Sequence, residues 1–341
     1  MMPHSHASKA TSLQKARAHD GLGSLHEHDW CSALAKLDGA YSQNTIRSYR
    51  SDFRIFEAWC SAEGHIALPA SPETVATFVK AESEISSPAT VSRRRAAITK
   101  IHKLLKLGNP VTSEEVNLAT RTMYRQKGRR QVQALGLTQI LKRQLIAVCP
   151  EDLVGARDRA LISVGYDTLC RRSELVQLLV EDLNIESDGS GTILVRKSKT
   201  DQVGAGRLAY LSAKTLGHLQ IWLTKADLND GPMFRGVQHR QVGKLPLNPS
   251  VLPRILKHRA QQAGLSPLEV AGLSGHSMRV GAAQDMASAG IDLGAIMHAG
   301  GWKSPDMVMR YIEHMDIQKS GMARLYGRSE KGLSAFPSRG I

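Results

Sequence analysis

At 341 residues the chain is longer than one hydrophobic core usually serves, so two domains are expected; 42% apolar and 22% charged residues are the proportions of a globular protein, not a disordered one. Forty-five Lys and Arg against 31 Asp and Glu give a net charge of +14, evenly shared: residues 1–130 carry 19 basic and 12 acidic side chains, and the remainder is also +7. Two basic halves argue against a single basic tether and for a polyanion gripped from two sides, with an affinity that falls as salt rises.

Cys31, Cys60, Cys149 and Cys170 are widely spaced and form no C-x-x-C pair, which argues against a zinc ribbon or a disulfide framework and fits a reducing cytosol. No metal and no cofactor is expected. No run of ~18 apolar residues occurs and the opening residues lack a signal-type apolar stretch, so a cytoplasmic protein with no membrane partner is expected.

In chain order, residues 1–24 mix His, Ser, Lys and Gly without apolar periodicity and read as a disordered arm. From Ser42 to Ala62, Ile46, Tyr49, Phe53, Phe56 and Trp59 recur at spacings of three and four, one apolar stripe of a helix with Arg47, Arg50 and Arg54 beside it. Ser87-Pro88 caps and opens a second long helix that runs to about Leu107, with Val91, Ile98, Ile101 and Leu105 inward and Arg93 and Lys100 outward. Shorter helices around 72–84 and 113–124 complete a helical domain over 25–126. Residues 127–136, with Arg129 and Arg130, read as a linker. The second domain, 137–330, is expected to open with helices near 138–148 and 155–165 and another from about Arg172. Two short strands follow, Gly191–Val195 and Arg207–Leu211, and helices dominate again from Ala213; 331–341 reads as a disordered tail. The class is mainly α, with a small antiparallel sheet in the second domain. The candidate DNA contacts are Arg47, Arg50, Arg93, Arg94, Lys100, Arg129 and Arg130, with Arg254 and Lys257 in the second domain, since Arg and Lys neutralise phosphates and helices fit the major groove.

The chemistry is carried by Gly275-His276-Ser277-Met278-Arg279-Val280-Gly281 and by Tyr311, 32 positions after Arg279. A His and an Arg three apart at the start of a helix face one side, where helix amides add positive partial charge, so both can meet one anionic group. To these belong Thr168-Leu169-Cys170-Arg171-Arg172-Ser173-Glu174, Lys199 between the two strands, and Gly300-Gly301-Trp302. In this order the set resembles the tyrosine site-specific recombinase (phage integrase) family, and its Cre-like members most closely. The likeness spans the second domain and extends more loosely over the helical one from Tyr41.

That resemblance implies a core-binding first domain and a catalytic second domain. It implies that Arg171 and Arg279 bind the scissile phosphate with His276 and Trp302, that Glu174 supports them, that Lys199 protonates the leaving 5′ oxygen, and that Tyr311 is the nucleophile. It further implies a double-stranded DNA target of inverted repeats around a short spacer, a homotetramer on two duplexes, and a phage, plasmid or other prokaryotic setting. The chemistry is self-consistent. Two guanidiniums suit a phosphate whose charge spreads in the transition state, and positive charge around a tyrosine of ordinary pKa ~10 favours the attacking phenolate. Two alternatives stay open at this point: a type IB topoisomerase, which shares these residue types, and a DNA-binding protein without catalysis.

Overall fold

Four serines open helices in the first half of the chain. Ser42, Ser71, Ser87 and Ser113 each accept a hydrogen bond from the backbone N–H three residues on, satisfying a donor that a helix start leaves free. The computed structural model describes residues 27–128, 133–196 and 206–313. The expected arm, Arg129, Arg130, Lys199, a further short helix expected over 316–326 and the tail lie outside the described residues. The rest falls into two compact units, one within residues 1–132 and one from Gln133 onward.

The first unit holds α1 (Glu27–Ala35), α2 (Gln43–Glu63), α3 (Pro72–Ile85), α4 (Pro88–Leu104) and α5 (Glu114–Lys127), with one turn of 3₁₀ helix at Pro110–Thr112. The apolar stripe of α2 supplies its core. Phe53 meets Trp30 edge-on at 4.9 Å, Phe56 meets Phe78 of α3 at 4.9 Å, and Trp59 meets the same Phe78 at 5.3 Å. From α4, Val91, Ile98 and Ile101 close the far side.

His102 is a polar member of this interior. Its Nε2 accepts the Ala70 N–H at 3.1 Å, so Nδ1 carries the proton and donates to the Ile98 carbonyl at 2.9 Å. Burial holds its pKa below the ordinary 6.5, although the bond to Ile98 pulls the other way. Because the unfolded chain then takes up the proton more readily, stability is full above pH 6.5 and falls as pH drops through 6.5 toward the folded value. Thermal melting at pH 7.5 and 5.5 is therefore expected to show a smaller acid loss in His102→Gln, whose amide does not titrate, than in the wild type.

The second unit is built on α7 (Leu153–Asp167), buried from Gly155 to Gly165 on nearly every side. Around it lie α6 (Gln139–Ala147), α8 (Arg172–Leu175), α9 (Ala213–Lys225), α10 (Leu252–Gln262), α11 (Pro267–Gly272), α12 (Ser277–Ser288), α13 (Leu293–Gly300) and α14 (Pro305–Ile312). An antiparallel sheet runs β1 (Leu183–Ile185), β2 (Gly191–Val195), β3 (Arg207–Leu211), with Gly191 opposite Leu211 and Val195 opposite Arg207. The mainly helical class with a small antiparallel sheet is as expected from sequence.

Four details differ. The helix from Arg172 lasts one turn, because Leu178 and Leu179 leave it to pair with the segment at Pro232–Met233. A strand that was not expected, β1, follows it. A second hairpin, β4 (Arg235–Gln238) with β5 (Gln241–Pro246), interrupts the helices after Ala213; its turn places His239 and Arg240 at φ 49° and 63°, and lacks the Asn-Gly or Asp-Gly that usually signals such a turn. The expected linker 127–136 is partly taken up: α5 reaches Lys127, and Leu135 donates its N–H to Gly272 O at 2.8 Å within the second unit.

Candidate active site

The site starts where α7 stops. Thr168 folds its hydroxyl back onto Val164 O at 2.7 Å, and Leu169 turns the chain at φ 51°, a left-handed conformation uncommon for a buried leucine. The turn delivers Arg171 to the N-cap of α8. There the buried Glu174 accepts both the Arg171 backbone N–H at 3.0 Å and its Nη1 at 2.6 Å, so the acid fixes the guanidinium it follows by three residues.

His276 is the N-cap of α12 and Arg279 its third helical residue, as the spacing predicts. Arg279 is 1% exposed; Nη1 donates to Leu169 O, and its guanidinium carbon lies 3.9 Å above the Trp302 ring. Its Nη2 is buried with no hydrogen-bond partner. Burial, then the charge of Arg171, pull its pKa down to about 10, so it remains a cation at neutral pH. His276 is an exposed residue whose ring is nonetheless partly shielded; that shielding first, and the charges of Arg172, Arg279 and Arg171 after it, lower its pKa below 6.5. The imidazole is therefore neutral at pH 7.

Trp302 is placed by a glycine pair. A Cβ on Gly300 would come within 2.0 Å of the Trp302 ring, and Gly301 takes φ 61° to end α13. The ring then meets Tyr311 of α14 edge-on, with centroids 5.9 Å apart. Tyr311 is 9% exposed within a cluster of Leu169, Val280, Ala283, Ile296 and Val308. Its carbonyl, near the helix end, accepts from Gln133 Nε2 at 3.1 Å and Gln284 Nε2 at 3.0 Å. The structure thus brings together Arg171, Glu174, His276, Arg279, Trp302 and Tyr311. Lys199 belongs to the connection between β2 and β3, outside the described residues.

Sequence reasoning missed Leu169, Gln133 and Gln284, which carry no local signal. It also missed Arg207, which shares the inward face of β3 with the buried Ala209 and Leu211; an arginine in that alternation was a readable sign.

The DNA-contact candidates separate by environment. Arg47, Arg50 and Arg254 are exposed. Arg93 is exposed but bidentate to the buried Asp52 at 2.6 and 2.9 Å, and the half-buried Lys100 donates to the Tyr41 hydroxyl at 2.8 Å. Lys257 is half-buried on α10, one turn from Arg254.

Arg94 is a correction. It is 4% exposed and paired with the buried Glu82, donating also to Ser86 Oγ at 3.2 Å, so it belongs to the interior and not to a DNA-facing surface. Removing one partner of such a pair leaves a buried charge uncompensated. Arg94→Met is accordingly expected to lose about 3–5 kcal/mol of stability. Arg254→Ala, by contrast, should change stability by no more than about 0.5 kcal/mol. It should flatten the salt dependence of DNA binding by about one unit of slope. Urea titration and binding at three salt concentrations check both.

A tyrosine beside two buried or acid-anchored arginines, on this two-unit helical fold, is the arrangement that the resemblance to tyrosine recombinases implies. Residues 137–317 match the Phage integrase family and residues 30–108 its N-terminal SAM-like domain. The chain belongs to the phage integrase family. It is 32% identical over 311 residues to an integrase/recombinase XerD homolog of Selenomonas ruminantium, covering 87% of this chain and 89% of the relative. It is 27% identical over 303 residues to the Cre recombinase of Escherichia phage P1, covering 84% and 88%. Among solved structures, the Tn1549 transposon integrase in complex with transposon right-end DNA shares the fold, with a TM-score of 0.61 at 15% identity over 90% of this chain and 99% of that one. The activity is site-specific DNA recombination, the cleavage and rejoining of strands; relaxation without a target site and binding without catalysis are not favoured. Among the described residues no helix is long and apolar enough to cross a membrane.

Proposed function

We propose that the chain recombines DNA through a covalent link to Tyr311. The Tyr311 oxygen attacks the scissile phosphorus, the bond from phosphorus to the 5′ oxygen breaks, and a 3′-phosphotyrosyl bond forms. Lys199 supplies the proton that the leaving 5′ oxygen needs. Arg171, held by Glu174, and Arg279, held against Trp302, neutralise the non-bridging oxygens as charge builds on them. His276, neutral at pH 7, can donate one hydrogen bond to the phosphate or accept the phenol proton. Attack by a 5′ hydroxyl of a second duplex reverses the chemistry on a new strand, and two such exchanges pass through a Holliday junction.

The observation that carries this reading is the buried, unpartnered Nη2 of Arg279. A desolvated cationic donor without an acceptor is costly unless an anion completes it. On the same reading, residues 25–126 form the core-binding domain, 137–330 the catalytic domain, and both grip a target of inverted repeats around a short spacer. Four copies on two duplexes make the recombining complex, with the segment from Asp316 onward joining neighbours. What supports the assembly is the resemblance to Cre-like enzymes. The test begins by selecting cleaved duplexes from a random DNA library, which yields the target site. A nicked suicide version of that site should then trap a covalent adduct whose peptide mass maps to Tyr311; an adduct on any other residue overturns the mechanism.

A further inference from the structure

Alternation along β3 puts Arg207, Ala209 and Leu211 on one face, the first an arginine where a strand abutting a core ordinarily carries an apolar residue. Its side chain reaches two segments of the site that no backbone pairing connects among the described residues. Nη2 donates to Thr168 O at 2.7 Å, at the turn that delivers Arg171, and lies 3.6 Å from the Cys170 thiol; Nη1 donates to Ala299 O at 3.0 Å, where α13 gives way to the Trp302 turn. The stem lies against Gly301, where a Cβ would come within 2.9 Å of Arg207 Cδ. Nε is buried without a hydrogen-bond partner, and among the described residues no carboxylate pairs with this guanidinium.

A neutral donor could tie the same two carbonyls. The cation is the costlier choice, since its charge makes the Arg279 cation harder to hold. Glu174 offsets part of that repulsion, and negative charge entering the site relieves more of it. We propose that Arg207 is a positioning residue for strand transfer, tying the Arg171 and Trp302 turns to β3 and adding its charge to the field that meets the scissile phosphate. This rests on the reading of Arg279 and Tyr311 given above.

The test compares Arg207→Lys with Arg207→Met in single-turnover cleavage of the nicked target duplex, carrying either the ordinary phosphodiester or a neutral methylphosphonate at the scissile position. DNA affinity is expected to stay near wild type in both variants, and melting to fall more in the Met variant, which takes the donors from Thr168 O and Ala299 O. On the phosphodiester, the Met variant should cleave about 10²-fold more slowly and the Lys variant, which keeps the charge but not both ties, about tenfold. On the methylphosphonate, where less charge needs neutralising, the gap between Lys and Met should close.

Wild-type rates in both variants overturn the proposal. Equal deficits in both that persist on the neutral substrate also overturn it, because they describe a strut without an electrostatic part. If the Met variant does not fold, Arg207→Gln, neutral and still a donor, takes its place under the same criteria. Tyr311→Phe and Arg279→Met are run alongside. Adduct formation by the Phe variant, or undiminished cleavage by the Met variant, would break the underlying reading whatever Arg207 does.

Discussion

Tyr311→Phe should fold, bind the target duplex with wild-type affinity and form no covalent adduct. The substitution removes one oxygen and leaves the ring, so the edge-on contact with Trp302 at 5.9 Å and the packing against Val308 remain. What holds the end of α14 is independent of the phenol, because Gln133 and Gln284 donate to the Tyr311 backbone carbonyl. A tyrosine kept only for packing would lose at most a hydrogen bond of about 1 kcal/mol, and cleavage would persist. A nucleophile has no substitute in phenylalanine, and loss of such a group costs on the order of 10⁶ in rate. Gel separation of adduct from free duplex, beside a binding isotherm, reads the two expectations at once. Appreciable strand cleavage by the Phe variant would remove Tyr311 from the mechanism.

The pieces of this site readable from sequence are those whose geometry is local. His276 and Arg279 fall at the cap and third position of one helix, and Arg171 and Glu174 are joined over the same three-residue interval, the acid accepting the Arg171 backbone N–H and its Nη1. Tyr311 follows a serine-proline helix start, whose cap is formed by Ser304 accepting the Asp306 N–H. The parts that were not readable depend on partners distant in the chain. Arg93, Arg94 and Arg95 are consecutive on α4, and at about 100° per residue three neighbours spread over too wide an arc to share one face. One of them had to turn inward. That it is Arg94 follows from Glu82 on α3, which no pattern within α4 reveals. The left-handed turn at Leu169 was hidden for a related reason: a leucine there gives no sign of a positive φ, and the bonds that its turn makes possible come from Arg279 and Arg207, 110 and 38 residues further on.

Arg279 should show function and stability pulling in opposite directions. Its guanidinium is 1% exposed, donates to one backbone carbonyl, stacks on Trp302 and keeps Nη2 unpartnered, with no carboxylate paired to it among the described residues. Burial and Arg171 depress its pKa to about 10, which means that the folded protein holds this charge less comfortably than the unfolded chain does. The sign follows: at neutral pH, where the group is charged in both states, the depressed value is a penalty on folding. Arg279→Met, apolar and of similar reach, removes that penalty while filling the space beside Trp302. Its melting temperature is therefore expected to equal or exceed that of the wild type, the usual direction when a strained site residue is replaced. Cleavage should fall by about 10²–10³, the cost of losing one charged donor to a developing oxyanion. Arg279→Lys should recover little of that rate, because a single ammonium cannot lie flat on the indole, reach Leu169 O and still offer a second donor to the phosphate. A Met variant that melts well below the wild type, or a Lys variant that cleaves at the wild-type rate, would show that Arg279 acts as an ordinary buried cation and not as a preformed half of a phosphate site.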